Sequence, residues 1–116
     1  MRCIVFVKAT ESSEQGLSPE PWTSEMMAAM GRFNDELRAA GVLLMAEGLQ
    51  PTANARRVAF DGASRSVIDG PFAETRELVA GFWLWEVKDM EEATVWAKRC
   101  PNPMPCPSEI EIRPFY

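Results

Sequence analysis

Hydrophobic residues along this chain follow two periods, and the switches between them lay out its elements. Arg2 to Lys8 is apolar on both parities of an extended strand: Cys3, Val5 and Val7 face one way, Ile4 and Phe6 the other, so both faces need cover. A polar connection from Ala9 to Trp22 carries Ser18-Pro19 and Glu20-Pro21. The period then becomes helical. Met26, Met30, Phe33, Leu37 and Ala40 recur at spacings of four and three, predicting a helix that starts near Thr23 or Ser24 and that Gly41 stops. Val42 to Leu49 predicts a second strand, closed by Pro51, and Arg56 to Phe60 with Ser66 to Asp69 predict a hairpin about Asp61-Gly62. In the strand from Ala80 to Val87, Phe82 and Leu84 point one way and Trp83, Trp85 and Val87 the other, with Glu86 the only charge. Asp89-Met90-Glu91-Glu92 has the form of a capping box with Asp as the cap, and the helix it opens carries Met90, Ala93, Trp96 or Ala97, and Cys100 before Pro101 ends it. A last strand, Glu109 to Arg113, alternates charged residues with the inward Ile110 and Ile112.

Strand, helix, strand, hairpin, strand, helix, strand is the order of an α+β, ferredoxin-like sheet with two helices on one face and an additional β-hairpin. Two helices cover one face only, yet two strands are apolar on both. A second copy of the chain laid over the other face satisfies that excess, so the pattern predicts a homodimer. A length of 116 residues fits a single domain, 1–116, large enough to bury roughly two thirds of its unfolded surface without staples.

Charge and cysteine content narrow the partners. Seventeen acidic against twelve basic residues give a net charge of −5, so a nucleic acid has no electrostatic reason to bind. No apolar run approaches the roughly 20 residues of a membrane span, and Lys8 with the polar stretch behind it interrupts the N-terminal run too early for a signal sequence. Three cysteines are an odd and sparse set, which predicts a reducing, cytoplasmic setting. Cys100 and Cys106 bracket Pro101-Asn102-Pro103-Met104-Pro105 at a spacing that matches no common zinc pattern, and the absence of histidine leaves nothing to complete one; they are expected to be unrelated free thiols.

One string stands out. In Asp69-Gly70-Pro71-Phe72-Ala73-Glu74-Thr75-Arg76-Glu77 a carboxylate, a bend and an aromatic adjoin: Pro71 fixes its own φ and moves Gly70 out of the helical region, Gly70 tolerates angles other residues avoid, and Phe72 anchors the bend. Asp69 is an ordinary turn aspartate on one reading and a functional carboxylate on the other. With Gly81-Phe82 behind it, the string resembles the DGPF branch of the YCII-related family. Ala39-Ala40-Gly41-Val42-Leu43, Glu47-Gly48-Leu49-Gln50-Pro51, Trp96-Ala97-Lys98-Arg99-Cys100-Pro101 and Glu109-Ile110-Glu111-Ile112-Arg113-Pro114 extend the resemblance nearly end to end. It implies small bacterial proteins of the dimeric α+β barrel type, often encoded beside alternative sigma factors, whose activity is largely unassigned.

With no histidine in the chain, Ser-His and Cys-His pairs are impossible. The wider family is described with a histidine and aspartate as an acid/base pair, so half of that pair is missing and Asp69 is the only position the resemblance carries over. Candidate ligand-binding residues are Glu47 at the end of the second strand, Glu74 at the bend and Arg76 just beyond. Each has a plain alternative: Glu47 pairs with an arginine across the sheet, Glu74 lies in a solvated turn, and Arg76 is a surface cation. Trp83, Trp85 and the methionines Met26, Met27 and Met30 read first as packing, although methionine-rich faces also make adaptable pockets. Two functions follow. One is a dimeric module that binds a small anionic or aromatic ligand or a regulatory partner linked to a sigma factor. The other is a cofactor-independent isomerase or dehydratase acting on a small phenolic or enol compound, with Asp69 as acid/base. Neither calls for a metal or a nucleotide cofactor, since no Gly-rich phosphate loop or metal-ligand spacing occurs.

Overall fold

Strands apolar on alternate residues pair centrally in the computed structural model, which describes all 116 residues. β1 (Arg2–Lys8) lies between β5 (Val79–Glu86) and β6 (Ile110–Pro114), and β2 (Leu43–Gly48) flanks β5. All three pairings are antiparallel, and the spatial order β2-β5-β1-β6 is that of a ferredoxin-like α+β sheet. β3 (Arg56–Asp61) and β4 (Ser64–Asp69) form the additional hairpin as a separate two-stranded sheet.

Register decides which side chains meet. Cys3 opposes Trp85 and Val5 opposes Trp83, and these residues pack under the helices; Ile4 opposes Leu84 and Phe6 opposes Phe82 on the other, open face. From α2 (Trp22–Ala39), Phe33 and Leu37 reach the core, and the Phe33 ring stands edge-on to Trp83, Trp85 and Trp96 with centroids 6.2, 6.4 and 6.4 Å away. Cys3, Val5, Leu37 and Trp85 are fully enclosed. α3 (Met90–Arg99) contributes Ala93, with Trp96, Ala97 and Cys100 against the core margin, whereas Met90 is exposed.

Several boundaries differ from the expected ones, each for a local reason. α2 starts at Trp22, with no side-chain cap, and Ala40 at its C-terminus faces solvent. Gly41 has φ +73°, and the Val42 N–H reaches back to the Leu37 carbonyl at 2.9 Å, the left-handed stop expected there. The polar connection is not featureless. Thr10 and Ser13 exchange hydrogen bonds as a capping box around α1 (Glu11–Glu14). At α3, Asp89 Oδ1 accepts from the Glu92 N–H at 2.9 Å, but Glu92 returns the bond one residue earlier than a capping box would, to the Lys88 N–H at 2.7 Å. The hairpin loop is Gly62-Ala63, one residue later than expected, because Asp61 still pairs with Ser64 and Gly62 carries the positive φ of +58°. β2 has an irregularity between Leu43 and Met45 that makes Leu44 an extra residue and turns Met45 and Glu47 to the open face beside Leu84 and Phe82.

Candidate functional site: a cavity between the long helix and the sheet

The C-terminal half of α2 lies on Trp83 and Trp85 through Phe33 and Leu37. Its N-terminal half passes over the end of the sheet where β2 and β5 carry Ala46, Gly48, Ala80 and Gly81. Small residues under a helix leave space, and a cavity of about 330 Å³ opens there. Ala46, Gly48, Gly81 and Trp83 form its floor, Met26, Met30 and Asn34 its helix wall, and Pro103 and Met104 close it from the loop after α3. Gly81 is required by more than the cavity: a β-carbon there would sit 3.0 Å from the Glu47 carbonyl oxygen on the neighbouring strand. The volume lies at the low end for small-molecule sites, enough for one or two fused rings.

One polar pair orients this apolar space. Trp83 Nε1 donates to Asn34 Oδ1 at 2.8 Å, which ties the floor to the helix wall and fixes the amide with its oxygen toward the indole. Glu47 is the only charged residue of the lining; its exposed side chain turns to the opposite, open face of β2 and makes no ion pair. No lysine or arginine borders the cavity.

The other residues singled out in the sequence lie elsewhere. Asp69, at the end of β4, accepts from Arg56 Nε at 3.0 Å across the hairpin, and both side chains are 75% exposed. Behind it the bend is tightly held: the Gly70 N–H donates to the Ala55 carbonyl at 2.9 Å, and the Phe72 N–H to Thr52 Oγ1 at 3.1 Å. Glu14 of α1 accepts from both the backbone N–H and the hydroxyl of Thr52, joining three segments. The Arg57 guanidinium stacks on Phe72, 3.8 Å from the ring centroid. Glu74 is exposed on the bend. Arg76 borders a separate, polar cleft of about 500 Å³ with Lys8, Thr10, Ser108 and Glu109. The structure therefore places Glu47 beside the cavity with its side chain on the other face of β2, and leaves Asp69, Glu74 and Arg76 apart from it. No three His, Cys, Asp or Glu side chains gather as a metal site, and no helix is long and apolar enough to cross a membrane.

The family model of the YCII-related domain matches residues 1–116. The chain belongs to the YCII-related family. A curated relative, the uncharacterized protein R00369 of Rhizobium meliloti (strain 1021), is 36% identical over 76 residues, which cover 66% of this chain and 61% of that protein. The match thus spans about three fifths of the relative's length.

In this YCII-related chain the residues that sequence reasoning missed are Asn34, Glu14 and Thr52. Asn34 follows Met26 and Met30 at steps of four, so all three lie on one line along α2, parallel to the Phe33-Leu37 stripe. That line was the available signal. Glu14 and Thr52 are 38 residues apart and carry none. All three cysteines are free. Burial pushes the Cys100 thiol up to about 12. Burial also raises Cys3, with Glu86 adding to the effect and the N-terminal ammonium opposing it.

Proposed function

We propose that this protein is a homodimeric module that binds a small, mainly apolar molecule in the cavity between α2 and the sheet. The observation that carries the reading is the cavity's construction, in which a floor of Ala46, Gly48 and Gly81 and walls of Met26, Met30 and Met104 leave a thioether-lined space beside Trp83. Binding rather than turnover suits a lining whose one titratable residue, Glu47, turns its side chain to the other face of the sheet, in a chain without histidine. The acid/base reading of Asp69 draws no support from an exposed carboxylate already paired with Arg56. A thermal-shift screen of small aromatic and alicyclic compounds against the parent and Ala46→Phe tests the proposal. Compounds should raise the melting temperature of the parent and not of the filled variant. Equal shifts in both would place the binding outside the cavity and sink the reading.

The dimer rests on separate observations. The open face carries Ile4, Phe6, Met45, Phe82 and Leu84 side by side in register, with no helix over them. Every residue of β3 and β4 is exposed, including Phe60 at 71% and Val67 at 65%. An isolated two-stranded hairpin is at best marginally stable, so it too calls for cover. A twisted antiparallel face meets its own copy readily about a two-fold axis, which makes a second chain the fitting occupant of both surfaces.

A further inference from the structure

The ligand's chemistry can be read from one hydrogen bond, on the reading that the cavity under α2 is the binding site. Because the Trp83 indole can only donate, Asn34 must present its amide oxygen to it, and the bond at 2.8 Å therefore decides which way the amide faces. Asn34 Nδ2 is left with no acceptor in the protein, on a residue that lines the cavity and is half-buried. We infer that Asn34 is the specificity residue of this cavity and that its free amide donor selects an uncharged, flat ligand bearing an acceptor oxygen, such as a cyclic ketone or enone.

Charge removes the neighbouring classes. A carboxylate or phosphate would suit the Asn34 donor, but no cation lines the cavity to offset the cost of burying its charge. An ammonium group is itself only a donor, would meet the Asn34 donor head on and would find no carboxylate turned into the cavity. A plain hydrocarbon fills the space between the methionines and Trp83 while leaving the amide without a partner, and loses that bond's contribution. The expected anionic ligand is thus the wrong charge for this site, and the aromatic alternative is kept with one polar atom specified.

Four compounds built on one bicyclic ring system test the inference by calorimetry: tetralin, 1-tetralone, 1-aminotetralin and tetralin-1-carboxylate. The parent protein should bind 1-tetralone about tenfold more tightly than tetralin and more tightly than either charged compound, as one well-made neutral hydrogen bond allows. Asn34→Asp keeps an oxygen for the Trp83 donor but removes the amide N–H; it should abolish the ketone's advantage while leaving tetralin within about twofold of its affinity for the parent. Equal affinity of parent protein for tetralin and 1-tetralone, blocked for both by Ala46→Phe, would overturn the inference while the cavity reading stood. Tightest binding by the amine or the carboxylate would overturn it too. Binding of none of the four would bring down the cavity reading and the inference together. If Asn34→Asp fails to fold, the comparison within the parent alone decides.

Discussion

A β-carbon on Gly70 would lie 1.7 Å from the Thr52 carbonyl oxygen and 3.3 Å from that of Ala55, so no other residue fits without moving backbone. Gly70 was expected to be needed for its backbone angles; its φ is not positive, and the close approach of the Thr52 segment supplies the reason instead. Gly70→Ala should therefore destabilise the protein by about 1–3 kcal/mol, as overpacking does, and an unchanged urea midpoint would show that the Thr52 segment yields freely. Next to it, Asp69→Asn removes only an exposed ion pair with Arg56. The expected loss is about 1 kcal/mol or less, vanishing in high salt, with ligand binding in the cavity unaffected. Cys100 gives a pH signature. An unfolded thiol ionises near 9.0 while the folded one holds its proton up to about 12, so above pH 9 the unfolded chain binds fewer protons and stability falls as pH rises. Cys100→Ser should flatten the part of that decline due to this thiol, read as a smaller drop in urea midpoint between about pH 8 and about pH 10.

Elements were legible where a period was long or a cap was local. The both-sided apolarity of Arg2 to Lys8, the alternation of Phe82, Trp83, Leu84 and Trp85, and Asp89 as a cap each state their structure within a few residues. Asp89→Ala should lower stability by about 1 kcal/mol, because the Glu92 N–H then loses its acceptor; a thermal melt detects it, and no shift would mean that water replaces the carboxylate at no cost. What was hidden depends on partners distant in sequence. α1 is four residues long, below any periodic signal, and its Glu14 is anchored by Thr52. The turn at Gly62-Ala63 is set by pairing of Asp61 with Ser64, since Asp61 is equally suited to either position. The extra residue in β2 matters most for the site, because it fixes which faces Ala46 and Glu47 take, and a run such as Leu43-Leu44-Met45 hides the register.

At the scale of the molecule, a radius of gyration of 15.9 Å exceeds the roughly 13 Å of a typical chain this long, and one dimension is only 19 Å. Those figures describe a thin, two-layered plate with a projecting hairpin. Light scattering at micromolar concentration should give twice the chain mass, and Phe82→Glu, which sets a charge at the middle of the open face, should give a monomer. A single-chain mass for the parent would refute the dimer. The sheet order followed from the order of elements, but the cavity did not. It is an absence of volume, produced where Ala46, Gly81 and Met104 from three parts of the chain fail to fill the space under α2, and no motif marks such a place.

The cavity walls have one more consequence. Met26, Met30 and Met104 meet around it, and a thioether takes up a single oxygen atom to become a polar, chiral sulfoxide. Peroxide would thus convert the greasiest part of the molecule into a wet one, starting with the half-exposed Met26 and Met30, while Met104, 7% exposed, is shielded. Ageing by oxidation would empty the pocket before it touched the enclosed core of Val5, Leu37 and Trp85, and methionine sulfoxide reductase would restore it.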